Sequence, residues 1–238
     1  VPEERRGDYL AQVAANRLGE RRLHELFQRW SVEQLREGAD ALVRAVARRM
    51  RAGIAGLPDG EYSFADIMDD DGMGTENIPV CVRVVVDGEE ILFDFTGSAP
   101  QVQGNINISY AGLQASALFA LKVLVDPDGP TNHGMLDPVR IVAELGSITN
   151  AVFPAATAAR AQTCQRVIDV ILGALSKAVP DRVIAASNGA NGVSAFFGAR
   201  PDGRYYVYME TIGGGGGARA YKDGKDGVQV HTTNTSNL

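Results

Sequence analysis

The sequence has 238 residues, of which 45% are hydrophobic and 22% are charged. This composition is typical of one or two globular domains with a sizeable core, and it excludes a disordered, collagenous or disulfide-stapled protein. The net charge of −6 argues against general binding to nucleic acids or to anionic membranes. Cys81 and Cys164 form no CxxC motif, and we expect them to be small core residues in a reducing, cytoplasmic compartment. No apolar stretch is long enough for a membrane span.

Residues 1–56 are predicted to form a pair of antiparallel helices. Apolar residues recur at helical spacing over residues 8–30, with a kink or break expected at Gly19. Ser31 and Gln34 match a capping box at the start of the second helix. The first 51 residues hold eleven arginines and eight acidic residues, a net charge of +3. We interpret these arginines as a solvated face, with docking of a partner as the alternative.

The remaining residues, 57–238, are predicted to form an α+β body. Elements alternate there without a strict βαβ rhythm, which favours a mixed or antiparallel sheet with packed helices. Helices are predicted over residues 113–125 and 162–179. Strands are predicted over residues 61–64, 78–86, 91–95, 182–186, 193–199, 205–212 and 228–231.

An acidic run at residues 69–72 invites comparison with a calcium-binding loop. An EF-hand loop that started at Asp69 would have Met73 at position 5 and Val80 at position 12, where oxygen ligands are required. The comparison fails, and we interpret the run as a solvated acidic turn.

A run of five glycines precedes Arg219: Gly213, Gly214, Gly215, Gly216 and Gly217. The run matches neither a P-loop nor a dinucleotide-binding fingerprint, because it lacks the GK[ST] ending and does not open a helix. Residues without Cβ atoms allow close approach of a backbone or a ligand, or they present several N–H groups to an anion. The alternative is a flexible loop.

The three histidines are His24, His133 and His231, and their spacing matches no metal-binding pattern. We therefore predict no metal site. His231 ends a predicted strand beside a polar tail, which is a common position for functional residues, and we regard it as the candidate catalytic residue. A purely structural hydrogen bond is the alternative. The sequence contains no GxSxG motif and offers no nucleophile–base pair.

Uncharged amides are concentrated between a predicted strand and a predicted helix. Asn105 and Asn107 belong to the segment DFTGSAPQVQGNIN, residues 94–107. Amides and glycines at such a junction suit a polar, uncharged ligand, or they cap the backbone of their own loop. Both interpretations remain open from the sequence.

Five blocks of the sequence together resemble the hydantoinase B/oxoprolinase family, in order and spacing over the whole chain. They are GDYLAQVAANRLGERRLHEL, DFTGSAPQVQGNIN, PTNHG, PDRVIAAS and GGGGGARAYKDGKDGVQVHTTNTSNL. The resemblance implies that this sequence is the middle portion of a larger B-type subunit. Such subunits pair with a hydantoinase A-type subunit, which binds ATP and activates an amide or carbonyl oxygen by phosphorylation.

The resemblance further implies that the B-type subunit completes the ring-opening hydrolysis of a cyclic amide, within a cytoplasmic hetero-oligomer. A divalent metal is bound in this family mainly by a segment upstream of this sequence, so we expect no cofactor within it and no activity from it alone. The resemblance also implies which residues contact the substrate or its phosphate group. They are Asn105, Asn107, Asn132, Gly213, Gly214, Gly215, Gly216, Gly217, Arg219, His231 and Asn234.

Two alternatives to a cyclic amide hydrolase stay open. Related acetone and acetophenone carboxylases add a carboxyl group to an activated ketone, and pocket details that decide between these reactions are not readable from the sequence. The second alternative is that the chain is a non-catalytic interaction fragment, whose arginine-bearing helices dock a partner.

Overall fold

The computed structural model describes residues 2–189, 192–228 and 231. The chain divides into two compact units, Val1–Ala45 and Val46–Leu238. Helix α1 (Pro2–Phe27) lies in the first unit, and helix α2 (Val32–Ile54) begins in the first unit and ends in the second. The division into residues 1–56 and 57–238 stays a prediction. No described helix is both long and apolar enough to cross a lipid bilayer.

The helix boundaries follow local rules of the sequence. Ser31 Oγ accepts from the Gln34 amide at 3.2 Å, and Gln34 Oε1 accepts from the Ser31 amide at 2.9 Å, which confirms the capping box of α2. Helix α1 runs through Gly19 without interruption, so a break there is wrong. A glycine costs a helix only about 1 kcal/mol, which the good helix formers around it offset.

A mixed four-stranded sheet forms the centre of the second unit. Strands β1 (Gly60–Asp70), β2 (Glu76–Asp87) and β3 (Glu90–Asp94) are antiparallel neighbours, and β4 (Val139–Val142) adds in parallel to β3. Helices α3 (Tyr110–Val125) and α4 (Arg160–Leu175) pack against each other, and α4 also packs on β1 and β2. The predicted α+β class with a mixed sheet is confirmed.

Alternation along β2 explains why one face of this sheet is covered. Five of its residues are buried at every second position: Ile78, Val80, Val82, Val84 and Val86. Such a period places all five on the same face of the sheet. They join one hydrophobic core with residues of α3, α4 and the end of α2. At that end of α2, Arg49 Nε donates to Asp126 Oδ2 at 2.8 Å, which ties α2 to the end of α3.

The part of the chain after α4 contains little regular structure beyond a hairpin. The sequence predicts a strand at residues 182–186, but Arg182 ends a 3₁₀ turn and residues 183–186 form no regular strand. Two backbone bonds hold this stretch and the residues just after it, from Ala185 N to Ala218 O and from Asn188 N to Gly215 O. The strand prediction is therefore wrong there. Another strand is predicted over residues 228–231, of which residues 229 and 230 lie outside the described residues.

Strands β5 (Gly192–Ala199) and β6 (Tyr205–Ile212) form an antiparallel hairpin that is exposed on both faces. The strand register places eight uncharged residues on one face of the hairpin. They are Val193, Ala195, Phe197, Ala199, Tyr205, Val207, Met209 and Thr211. On this apolar face Phe197 is 70% exposed and Met209 is 67% exposed. Within the described residues, β5 and β6 pair only with each other.

Asp71 is buried, with a relative exposure of 6%, which corrects the prediction of a solvated acidic turn at this residue. Its carboxylate accepts from the amides of Met73 at 2.8 Å, Thr75 at 2.9 Å and Gly104 at 3.0 Å. Burial by itself would raise the pKa of the Asp71 carboxyl, but the backbone donors outweigh it and lower the pKa from 3.8 to about 2.

The lowered pKa of Asp71 predicts a defined acid sensitivity. A carboxylate with a depressed pKa stabilises the folded state above its ordinary pKa of 3.8, and this stabilisation is lost as the pH falls through about 2. We expect Asp71→Asn to lower the free energy of unfolding at neutral pH and to flatten its decline between these two values. Urea unfolding at a series of pH values measures both effects.

The matched control is Asp70→Asn, because Asp70 is the exposed neighbour of Asp71. The exposed Asp70 carboxylate accepts only from the Gly72 amide among the described contacts, at 2.7 Å, so this variant should change the pH dependence of the free energy of unfolding much less than Asp71→Asn. Identical pH profiles for both variants and the wild-type protein would contradict the assigned role of Asp71.

Asn107 is fully buried and fixes the loop that leads into α3. Its Oδ1 accepts from the Val102 amide at 2.8 Å. Its Nδ2 donates to the carbonyl oxygens of Val102, Gly104 and Ala156, each at 2.9 Å. The side chain therefore caps the backbone of its own loop, one of the two interpretations that the sequence left open for this segment.

Replacing Asn107 should destabilise the protein strongly. Asn107→Ala leaves backbone groups of Val102, Gly104 and Ala156 without this partner, and a buried group left in this way, such as the Gly104 carbonyl, costs about 1–3 kcal/mol. Asn105→Ala is the control, because Asn105 is exposed and only two residues away, and its effect should stay within about 0.5 kcal/mol. Thermal and urea unfolding of the purified variants would measure the difference, and equal stabilities would show that Asn107 does not fix the loop.

Candidate functional site

A buried pair of ionisable residues links α4 to the far end of the described chain. Asp169 lies on α4 with a relative exposure of 5%, and His231 has a relative exposure of 2%. His231 Nε2 lies 2.8 Å from Asp169 Oδ1. The His231 ring also contacts Phe119 of α3 edge to face, with 6.2 Å between ring centroids. Two different helices thus set the position of the imidazole.

Ser187 supplies further donors to the Asp169 carboxylate. The Ser187 amide donates to Oδ1 at 3.2 Å, and the Ser187 hydroxyl donates to Oδ2 at 3.1 Å. The hydroxyl oxygen in turn accepts from the Gly189 amide at 3.1 Å. A buried carboxylate is stable only when donors or cations surround it, and this arrangement satisfies that requirement. Because the Ser187 hydroxyl is directed at Asp169 instead of His231, the three residues do not form a serine-nucleophile triad.

His231 forms part of the wall of a cleft of about 600 Å³. The walls combine apolar side chains with a few polar ones: Phe119, Leu124, Leu172, Arg182, Arg219 and His231. Mostly apolar walls with a few convergent polar groups are typical of small-molecule sites. Asp169 lines a second cleft of about 470 Å³, and Val183 and Ile184 border both clefts. The Asp169–His231 pair therefore connects the walls of two neighbouring clefts.

The glycine run lies where backbones approach one another closely. Gly215 and Gly216 form strand β7, which pairs with β8 (Lys225–Asp226), while residues 185–188 run along its other side. A Cβ atom on Gly217 would lie 2.1 Å from the Ala185 carbonyl oxygen. The predicted close approach of backbones is therefore present at Gly217. Its predicted role in binding substrate stays a prediction.

The other predicted substrate residues are scattered. Asn105 is exposed, and Asn107 is committed to the loop described above. Asn132 accepts from the Gly134 amide at 2.8 Å and caps the 3₁₀ turn that includes His133. Arg219 is exposed and shares the larger cleft with His231, so these two of the predicted site residues meet there. Asn234 lies outside the described residues.

Metal and thiol chemistry have little support from the described side chains. Among residues 2–189, 192–228 and 231, no three His, Cys, Asp or Glu side chains converge as a metal site. Cys81 and Cys164 are half-buried free thiols, and burial raises the pKa of the Cys164 thiol. A raised pKa disfavours the nucleophilic thiolate.

Sequence reasoning missed Asp169 and Ser187. The one signal for Asp169 was a lone acid inside the apolar stretch VIDVILGAL of α4, where a buried carboxylate requires a partner. Ser187 gave no such signal, because serine is common in loops.

Comparison with known proteins identifies the family. The hydantoinase B/oxoprolinase family model matches residues 1–238. A protein assigned as the B-type subunit of a D-/L-hydantoinase in Pseudomonas sp. (strain NS671) is 34% identical over 97% of this chain, and the chain covers 40% of that relative. The sequence thus spans about two fifths of the length of this relative.

Solved structures agree with the family match. The ATP-dependent caprolactamase from Pseudomonas jessenii superposes with a TM-score of 0.81 and 31% identity, over 93% of this chain and 39% of that one. A nucleotide-free acetone carboxylase superposes with a TM-score of 0.71 and 14% identity, over 85% of this chain and 29% of that one, which shows a shared fold. On these grounds the chain belongs to the hydantoinase B/oxoprolinase family.

Proposed function

We propose that the chain is part of the B-type subunit of an ATP-dependent cyclic amide hydrolase. In this proposal an A-type partner subunit uses ATP to activate the amide oxygen, and the B-type subunit completes ring-opening hydrolysis. The observation that carries the proposal is the cleft that contains both His231 and Arg219, within a fold similar to an ATP-dependent caprolactamase at 31% identity.

The cleft residues have chemistry that suits this reaction. An imidazole transfers protons near neutral pH, so His231 can accept a proton from attacking water or supply one to the leaving nitrogen. The Arg219 guanidinium can pair with a carboxylate or phosphate group of the bound substrate. Apolar walls such as Phe119 and Leu172 suit the methylene groups of a small ring and exclude water.

A carboxylase reaction is the alternative, and its support is weaker. The likeness to acetone carboxylase has 14% identity and concerns the fold, whereas the caprolactamase likeness extends to the sequence.

The test is an assay of the full-length subunit with its A-type partner, ATP and a panel of cyclic amides (a hydantoin, 5-oxoproline, caprolactam). ATP-dependent appearance of the ring-opened acid supports the proposal. Carboxylation of acetone from bicarbonate, with no ring opening, would replace it.

His231 should be far more important for turnover than a histidine outside the cleft. We expect His231→Ala to lower kcat by on the order of 100-fold, the typical contribution of a general acid or base. His133→Ala should leave kcat nearly unchanged, because His133 is exposed in a separate turn. Steady-state kinetics of the reconstituted enzyme measures both, and equal losses from the two variants would remove His231 from the reaction.

Close packing predicts unequal tolerance within the glycine run. Gly217→Ala would set a methyl group against the Ala185 carbonyl oxygen, whereas a Cβ atom on Gly215 would lie 3.4 Å from the Lys225 carbonyl oxygen, an ordinary contact. We expect Gly217→Ala to lower both thermal stability and turnover, and Gly215→Ala to retain most of each. Calorimetry and the same kinetic assay provide the comparison. Full activity of the Gly217 variant would mean that the strand next to residues 185–188 is not needed for the site.

A further inference from the structure

We propose that Asp169 is the positioning residue of the site: it holds His231 in the tautomer that carries its proton on Nε2, and Ser187 locks Asp169 in place. The relevance of this couple to turnover rests on the proposed function. The tautomer itself follows from the contacts alone and can be measured without any substrate.

The hydrogen-bond donors around Asp169 determine its role. The Ser187 amide is an obligatory donor, so Asp169 Oδ1 must accept from it. The Ser187 hydroxyl oxygen already accepts from the Gly189 amide, which leaves its own proton free to point at Asp169 Oδ2. With both oxygens engaged as acceptors, the remaining contact of Oδ1 at 2.8 Å calls for a donor, and His231 Nε2 fills that place.

A donor at Nε2 determines the state of the other ring nitrogen. A neutral imidazole carries a proton on one nitrogen and a lone pair on the other. If Nε2 holds the proton, Nδ1 holds the lone pair and is the nitrogen able to accept a proton from a reacting group. The edge-to-face contact with Phe119 adds a second constraint on the ring plane. Asp169 thus selects which nitrogen reacts, as expected of a residue that acts through another.

Burial strengthens this selection. The side chains of His231 and Asp169 are 3% and 2% exposed, so water competes little for their hydrogen bond. Breaking the bond would leave a buried carboxylate without one of its partners, which is costly. Arg182 also lines the cleft that His231 borders, and its guanidinium donates to the Leu124 carbonyl oxygen.

Solid-state nitrogen-15 NMR of the full-length protein labelled at histidine tests the tautomer directly. The His231 signals are those lost in His231→Gln. We expect neutral His231 in the wild-type protein to show a single tautomer, protonated on Nε2 and unprotonated on Nδ1. Protonation on Nδ1, or a mixture of the two tautomers, would overturn the proposal, and this measurement does not depend on whether any Asp169 variant folds.

Kinetics of the reconstituted enzyme tests the consequence. Asp169→Ala and the isosteric Asp169→Asn should each lower kcat by on the order of 100-fold with little change in KM, and Asp169→Ala should convert the His231 signals into those of mixed tautomers. Asp202→Asn is the control, because Asp202 forms an exposed pair with Arg204 in the β5–β6 turn, and its kcat should stay within about a factor of two.

The outcomes separate the two proposals. Unchanged kcat in a folded Asp169 variant would overturn the positioning role even if the wild-type tautomer is as expected. If the wild-type enzyme opens no cyclic amide, the proposed function fails, and the tautomer measurement alone then decides whether Asp169 orients His231.

Discussion

The hydrogen bonds to the buried Asp169 carboxylate are the interactions on which the second half of the structure depends. A charge removed from water must be surrounded by donors, and those donors come from residues well separated in the sequence, Ser187 and His231. Meeting this requirement fixes the chain after α4 against that helix. Because Ala185 and Asn188 then bond to the backbone of residues 215–218, the same requirement also places the glycine strand.

Polar anchors of this kind hold the irregular parts of the molecule, while apolar packing holds the regular ones. Asp71 joins the β1–β2 turn to the loop at Gly104, and Asn107 joins that loop to Ala156. Each anchor engages several backbone groups at once, so a loop without regular secondary structure still adopts one conformation. The buried faces of the sheet and helices are instead defined by the alternation in β2 and by the buried apolar residues of α3 and α4.

This division explains which features the sequence predicts. Period and capping are local, and they predicted β2, the β5–β6 hairpin and the start of α2. Asp71 was misjudged because its partner Gly104 lies 33 residues away, and the chemistry of DDDG alone is that of a solvated turn. Residues 182–186 have strand-like composition, yet their neighbours offer only scattered backbone bonds.

Of the candidate site residues that the sequence names, His231 and Arg219 line one cleft, whereas Asp169, which contacts His231, is not among them. A carboxylate in the middle of an apolar helix is visible in the sequence, whereas its partner 62 residues away is not. The family resemblance supports the proposed reaction class, and the contacts support the roles proposed for Asp169 and Ser187. Neither source would have sufficed alone.

The β5–β6 hairpin has a practical consequence for anyone who handles this polypeptide. Among the described residues the hairpin pairs with no third strand, and its face of Phe197, Val207 and Met209 carries no charge. Open edges next to an apolar face are templates for strand-to-strand association between molecules. A lysine placed at Val207 would put a charge in the middle of this apolar face and so oppose such association.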